Sequence, residues 1–131
     1  MSLEQGPILV MDDEPDIREL CYEILTDLGY HVECVAGGAD AIKRYREEAA
    51  GDLPFHVVLL DVTVKGGMGG REALQKLREI DPSIKAVVSS GYSADPVMID
   101  YRALGFRGLL RKPFDFVEMG NTVDRLIREE S

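Results

Sequence analysis

Apolar residues fall along this chain in short runs, and each run stops on a polar group. Pro7-Ile8-Leu9-Val10-Met11 ends in Asp12-Asp13-Glu14, and Val57-Val58-Leu59-Leu60 ends in Asp61. Ala86-Val87-Val88 ends in Ser89-Ser90-Gly91, and Leu109-Leu110-Arg111 ends in Lys112-Pro113. Runs of this length read as strands buried on both faces. Between them the spacing changes to that of a helix. Ile17, Leu20, Ile24, Leu25 and Leu28 share one helical face, as do Ala73, Leu74, Leu77 and Ile80. Phe116, Val123 and Ile127 mark the buried side of a last helix. The pattern predicts strands over 8–11, 31–35, 56–60, 84–89 and 106–111. It predicts helices over 15–28, 39–49, 71–80, 95–104 and 115–129.

The punctuation agrees. Asp13 is placed to cap the first helix, with Pro15 in its first turn, and Gly29 stands where that helix stops. Gly51-Asp52-Leu53-Pro54 makes a turn, Asp81-Pro82 ends the third helix, and Asp95 with Pro96 opens the fourth. Five strand–helix units with short links imply right-handed crossovers. The expected fold is α/β: one five-stranded parallel sheet with two helices on one face and three on the other. In such a sheet the polar groups that end the apolar runs gather at the carboxyl end of the strands, where open α/β folds bind ligands.

Composition narrows the setting. A chain of 131 residues, 45% hydrophobic, suits one domain with a real core. No apolar run approaches the length of a membrane span, and no signal-peptide pattern opens the chain. The formal charge of −9 disfavours nucleic-acid binding. Cys21 and Cys34 lack CxxC spacing and read as reduced thiols in a cytoplasmic protein.

The polar end carries the chemistry. Aspartates at 12, 13 and 61 would repel one another, and a hard cation with oxygen ligands removes that penalty. Mg²⁺ suits a few carboxylates, a backbone carbonyl, waters and a phosphate oxygen. Lys112 would be a point charge for a phosphoryl oxygen, and Ser90 a hydroxyl donor to another. An aspartate carboxylate can itself be the nucleophile, and Asp61, ending the central strand, is the best placed.

Asp12-Asp13, Asp61, Ser90 and Lys112-Pro113, in this order and each at a strand end, resemble the signature of the response-regulator receiver domain of two-component phosphorelays. The resemblance spans residues 6–129, with 1–5 expected to be a tag remnant or disordered start. It implies a flavodoxin-like (βα)5 fold with strand order 2-1-3-4-5. It implies that Asp61 is the phosphoacceptor, that Asp13 holds Mg²⁺ directly and Asp12 mainly through water, and that the Thr63 carbonyl is a further ligand. Ser90 and Lys112 would hold the phosphoryl group, and the Lys112–Pro113 peptide would be cis. The implied partner is a histidine kinase or histidine phosphotransfer domain, with no contact to nucleic acid or membrane and no indication of oligomeric state. The stretches 60–70 and 90–98, with Gly105-Phe106-Arg107-Gly108, resemble the receivers of hybrid sensor histidine kinases, which implies such a kinase as a candidate parent.

Two departures stand out. Leu109 occupies a position where many receivers carry Tyr or Phe, so signalling through an aromatic switch is not expected. The loop Lys65-Gly66-Gly67-Met68-Gly69-Gly70 replaces the usual Met-Pro, and its four glycines predict a mobile segment over the site. Two other functions compete. A Mg²⁺-dependent aspartyl phosphatase would want an acid two residues after the nucleophile, where this chain has Thr63. A receiver that binds partners without being phosphorylated would not need the complete site set.

Overall fold

The structure is a computed structural model that describes residues 5–51, 54–91 and 96–129. Its elements are β1 (Gln5–Met11), α1 (Pro15–Asp27), β2 (Tyr30–Val35), α2 (Gly38–Ala49) and β3 (Val57–Asp61). They continue as α3 (Gly70–Ile80), β4 (Ala86–Ser90), α4 (Pro96–Leu104), β5 (Gly108–Arg111) and α5 (Phe116–Arg128). The strands form one sheet in the order β2-β1-β3-β4-β5, and every neighbouring pair is parallel. The architecture and strand order are those expected.

Side chains alternate across the sheet and fill two cores. Leu9, Met11, Val58, Leu60, Ala86 and Val88 pack under α2, α3 and α4. Ile8, Val10, Val57, Leu59, Val87 and Leu110 pack under α1 and α5. This is the expected division of three helices against two. Every residue of β3 and β4 is buried.

Boundaries shift where the ladder decides them. Asp61 pairs with Ser89, and Ser90 with Arg111, so Asp61 and Ser90 lie inside their strands rather than just beyond them. β5 starts at Gly108, two residues late, because the Phe106 N–H turns back to the Tyr101 carbonyl. β1 starts at Gln5, inside the segment expected to lack structure. Residues 1–4 and the Asp95 cap lie outside the described residues, as do Asp52 and Leu53 of the expected turn.

Three side-chain expectations need correction. Asp13 does not cap α1. The N-cap is Glu14, which makes no side-chain cap bond; the Glu14 N–H donates to Asp12 Oδ1 at 2.9 Å, and the Asp13 carboxylate turns to the Lys65 N–H. On α1 the residues facing the sheet are Cys21 and Leu25, whereas Leu20 and Leu28 are partly exposed. Leu28 leans instead on α5, where a Cβ at Gly120 would come within 2.9 Å of it. Phe116 is 66% exposed, one turn ahead of the buried Met119, Val123 and Leu126. Its helix is capped by Asp115, which accepts from the Val117 and Glu118 N–H groups.

Candidate functional site

The strand register places the acids before any side chain is considered. Met11 pairs with Leu60, so the next rung sets Asp12 beside Asp61. Asp12, Asp61 and Lys112 also share one parity with the inward residues Val10, Leu59 and Leu110, so they start on the same side of the sheet. The Lys112 N–H donates to the Ser90 carbonyl at 2.9 Å, which carries the β4–β5 ladder one residue past β5. The Lys112–Pro113 peptide is cis, as expected.

Lys112 Nζ stands 2.7 Å from Asp12 Oδ2, 3.3 Å from Asp61 Oδ1 and 3.8 Å from Glu14 Oε1. Asp12 and Asp61 are buried, at 1% and 4% exposure, so these charges lie largely out of water. Burial pushes the Asp61 carboxyl up to about 6, with the Asp12 charge adding to the shift and Lys112 opposing it. Burial pulls the Lys112 ammonium down, but its contacts with Asp12 and Asp61 outweigh that, and it is held above its usual range.

One ammonium serves three carboxylates, and the shortfall is visible. Asp12 Oδ2 is buried, and it shares the Lys112 ammonium, 2.7 Å away, with Asp61 and Glu14. Asp12, Asp13 and Asp61 each offer an oxygen, and these oxygens lie within 4.8 Å of one another. An all-oxygen set of three carboxylates, short of positive charge and partly buried, fits a hard divalent cation such as Mg²⁺.

Thr63 and Ser90 line the same cleft of about 560 Å³ as Asp13, Asp61 and Lys112, and Asp12 lies buried behind it within the aspartate cluster. Ser90 is buried and Thr63 exposed. Three contributions were not foreseen. Arg18 donates to the Asp12 carbonyl at 2.8 Å, Glu14 reaches toward Lys112, and the Lys65 N–H donates to Asp13 Oδ2 at 3.1 Å. Lys65 was legible only as the single basic residue between Asp61 and the third helix.

The glycine loop is also better held than its composition suggested. The Gly38 N–H donates to the Met68 carbonyl at 3.1 Å, and Val64 and Met68 pack against the core. Gly69 and Gly70 are there for space: a Cβ would lie 2.3 Å from the Val62 carbonyl oxygen at the first and 2.7 Å from that of Asp61 at the second. Only Gly66, at φ +71°, uses the left-handed region within the loop.

Away from the cleft, Cys21 and Cys34 are free thiols. Burial, with a smaller contribution from Cys34, pushes Cys21 up to about 12, and burial raises Cys34 as well, so neither is a ready nucleophile. His31 and His56 are exposed. Leu109 is half-buried and packs on the core under α4.

A parallel five-stranded sheet with a carboxylate cluster and one lysine at its carboxyl end defines a flavodoxin-like phosphoacceptor class. Residues 8–124 match the family model of the response regulator receiver domain, and the chain belongs to that family. It is thus a receiver domain of the kind used in two-component signalling. It is 32% identical over 120 residues to the response regulator receiver protein CpdR of Brucella abortus, covering 92% of this chain and 95% of CpdR. It resembles the structure of the response regulator TrrA of Thermotoga maritima in complex with Mg²⁺-BeF, with a TM-score of 0.79 and 29% identity over 93% of this chain and 99% of that one. It is also 31% identical over 123 residues to the sensor kinase CckA of Brucella abortus, covering 94% of this chain but 13% of the kinase. Among the described residues no helix is long and apolar enough to cross a membrane.

Proposed function

We propose that Asp61 accepts a phosphoryl group from the phosphohistidine of a histidine kinase or histidine phosphotransfer domain, with Mg²⁺ bound beside it. The observation that carries this reading is the convergence of three aspartate oxygens within 4.8 Å around a carboxylate that Lys112 also touches. Asp13, Asp61 and the Thr63 carbonyl would hold the ion, and Asp12 would hold it through water. When bound, the ion neutralises charge that develops on the transferring phosphoryl oxygens.

The rest falls to the chain. One Asp61 oxygen forms a bond to phosphorus as the bond from phosphorus to the donor breaks, and the leaving group departs with the electron pair. Asp61 must attack ionised, and its raised carboxyl is still largely ionised at neutral pH. Lys112 then exchanges Asp61 for a phosphoryl oxygen, and Ser90 meets another from the neighbouring strand. The shared ammonium suits this exchange because it already bridges Asp12 and Asp61.

Incubation with Mg²⁺ and acetyl phosphate tests the reading. The expected result is one acyl phosphate per chain, lost slowly in water. Sustained turnover of a phosphorylated substrate would favour the aspartyl phosphatase, and absence of labelling would favour an inactive binding module. We place the domain in the cytoplasm. The kinship with a 123-residue segment of CckA supports a hybrid-kinase parent. The size of the native protein on an immunoblot decides between such a parent and a free-standing receiver.

A further inference from the structure

We propose that Lys65 draws anionic phosphodonors into the Asp61 cleft and so sets which small donors this domain accepts; the inference rests on the phosphoacceptor reading above. The cleft is short of positive charge. Asp13, Glu14 and Asp61 line it with Asp12 buried behind them, against the ammonium of Lys112 and the Arg18 guanidinium, which is bound to the Asp12 carbonyl. A bound divalent cation brings these charges only to balance, so apart from Lys65 no positive charge is left over to attract an anion. A small phosphodonor arrives with negative charge of its own and meets the exposed Glu14 carboxylate at the mouth.

Lys112 cannot relieve this at a distance, because it is already spread over Asp12, Asp61 and Glu14 at 2.7, 3.3 and 3.8 Å. Lys65 lines the same cleft, is exposed, and among the described residues its side chain forms no ion pair. Its position is built rather than incidental. The Lys65 N–H is bound to Asp13 Oδ2 at 3.1 Å. Val64 on one side and Met68 on the other pack on the core, and the chain turns away at once through Gly66. The backbone of a metal-cluster aspartate's partner is thereby held at the rim while its ammonium, on a flexible stem, stays free to meet a ligand. A compact, mobile point charge suits attraction of a phosphate more than fixed bidentate recognition.

The step itself is unchanged. With acetyl phosphate, the Asp61 O–P bond forms, the P–O bond to the acetyl group breaks, and acetate leaves with the electron pair. Lys65 acts before that step, on encounter and binding, so its removal belongs in the half-saturating donor concentration and not in the maximal rate.

The test is Lys65→Gln in the full chain, with Lys65→Arg as the charge-retaining control. For acetyl phosphate, Lys65→Gln should raise the half-saturating concentration roughly three- to tenfold, with the maximal labelling rate within about twofold of the parent. Raising the salt to about 0.5 M should shrink the difference to less than about twofold. Phosphoramidate, which is less negative and releases neutral ammonia, should be affected less. Lys65→Arg should behave as the parent does. Calorimetry gives an independent readout. Losing a cation near the aspartates should tighten Mg²⁺ binding by roughly two- to threefold. Weaker Mg²⁺ binding would mean that Lys65 only shapes the loop, and it would overturn the proposal. So would an unchanged half-saturating concentration, or a loss of equal size at high salt and with phosphoramidate. If the parent chain takes no label from either donor, the phosphoacceptor reading itself fails and this inference falls with it.

Discussion

Asp61 and Asp81 sit at opposite ends of the same sheet, and their surroundings push them in opposite directions. Asp81 follows α3 at the amino end of β4. Tyr45 donates its hydroxyl to Asp81 Oδ2 at 2.7 Å, and the Ser83 N–H and hydroxyl donate to Oδ1 at 3.0 and 2.8 Å. Burial alone would raise this carboxyl, but the bonds from Tyr45 and Ser83 outweigh it and hold it below the usual range. Asp61 has one ammonium at 3.3 Å, shared with two other carboxylates, and is pushed up. The amino end closes its polar groups on one another, as a structural network does. The carboxyl end gathers acids around a shared ammonium, which costs stability and marks the place where a ligand is wanted.

The largest effect should come from removing the acceptor. Asp61→Asn is expected to reduce labelling by acetyl phosphate more than about a hundredfold, the range lost with an essential reacting group. Undiminished, acid-stable labelling would erase the functional half of the comparison.

The same variant tests the energetic half in a chelator. Asp61 titrates near 6 when folded and near 3.9 when unfolded, so the stability linked to its proton is complete below about 4 and is lost as pH rises through about 6. Metal-free protein should therefore lose roughly 1–3 kcal/mol between those limits relative to Asp61→Asn. Parallel curves for the two proteins in urea unfolding would contradict the strain assigned to this end.

Asp13→Ala should weaken Mg²⁺ binding by about tenfold or more, as loss of one direct ligand implies. Calorimetry showing equal affinity would remove Asp13 from the ligand set.

Tyr45→Phe addresses the closed end. It should cost about 1 kcal/mol at pH 7, the low side of a bond to a charged group because Asp81 is partly exposed. Asp81 is depressed when folded, so its contribution is present above the unfolded value near 4 and is lost as pH falls through the folded one. The gap between parent and Tyr45→Phe should narrow in acid, opposite to the behaviour of Asp61. A gap that persists unchanged to low pH would mean that the hydroxyl acts by packing alone.

The smallest effect concerns response at the carboxyl end. A phosphoryl mimic at Asp61 should change amide exchange more across residues 62–70 and 90–95 than across 104–110, since Leu109 offers no polar group to follow Ser90. Greater change around Leu109 would move the signal to β5.

Much of this was readable in the chain. Apolar runs ending on Asp12, Asp61, Ser90 and Lys112 sufficed for the parallel sheet, its order by resemblance, and the polar residues that gather at its carboxyl end, because strand period and burial are local properties of sequence. The tertiary structure decided what each polar group faces. Asp13 reads locally as a helix cap, yet its carboxylate crosses the cleft to the Lys65 N–H, 52 residues on. Four glycines read as slack, yet two of them only clear carbonyl oxygens of the Asp61 strand end while neighbours pin the loop. Phe116 has helical phase with the core but is exposed in the first turn of α5. Phase and composition say which residues have a face to bury or freedom to turn. Only the register of distant strands sets Asp12 beside Asp61 and leaves one ammonium among three acids, because charge interactions depend on distances that no stretch of sequence contains.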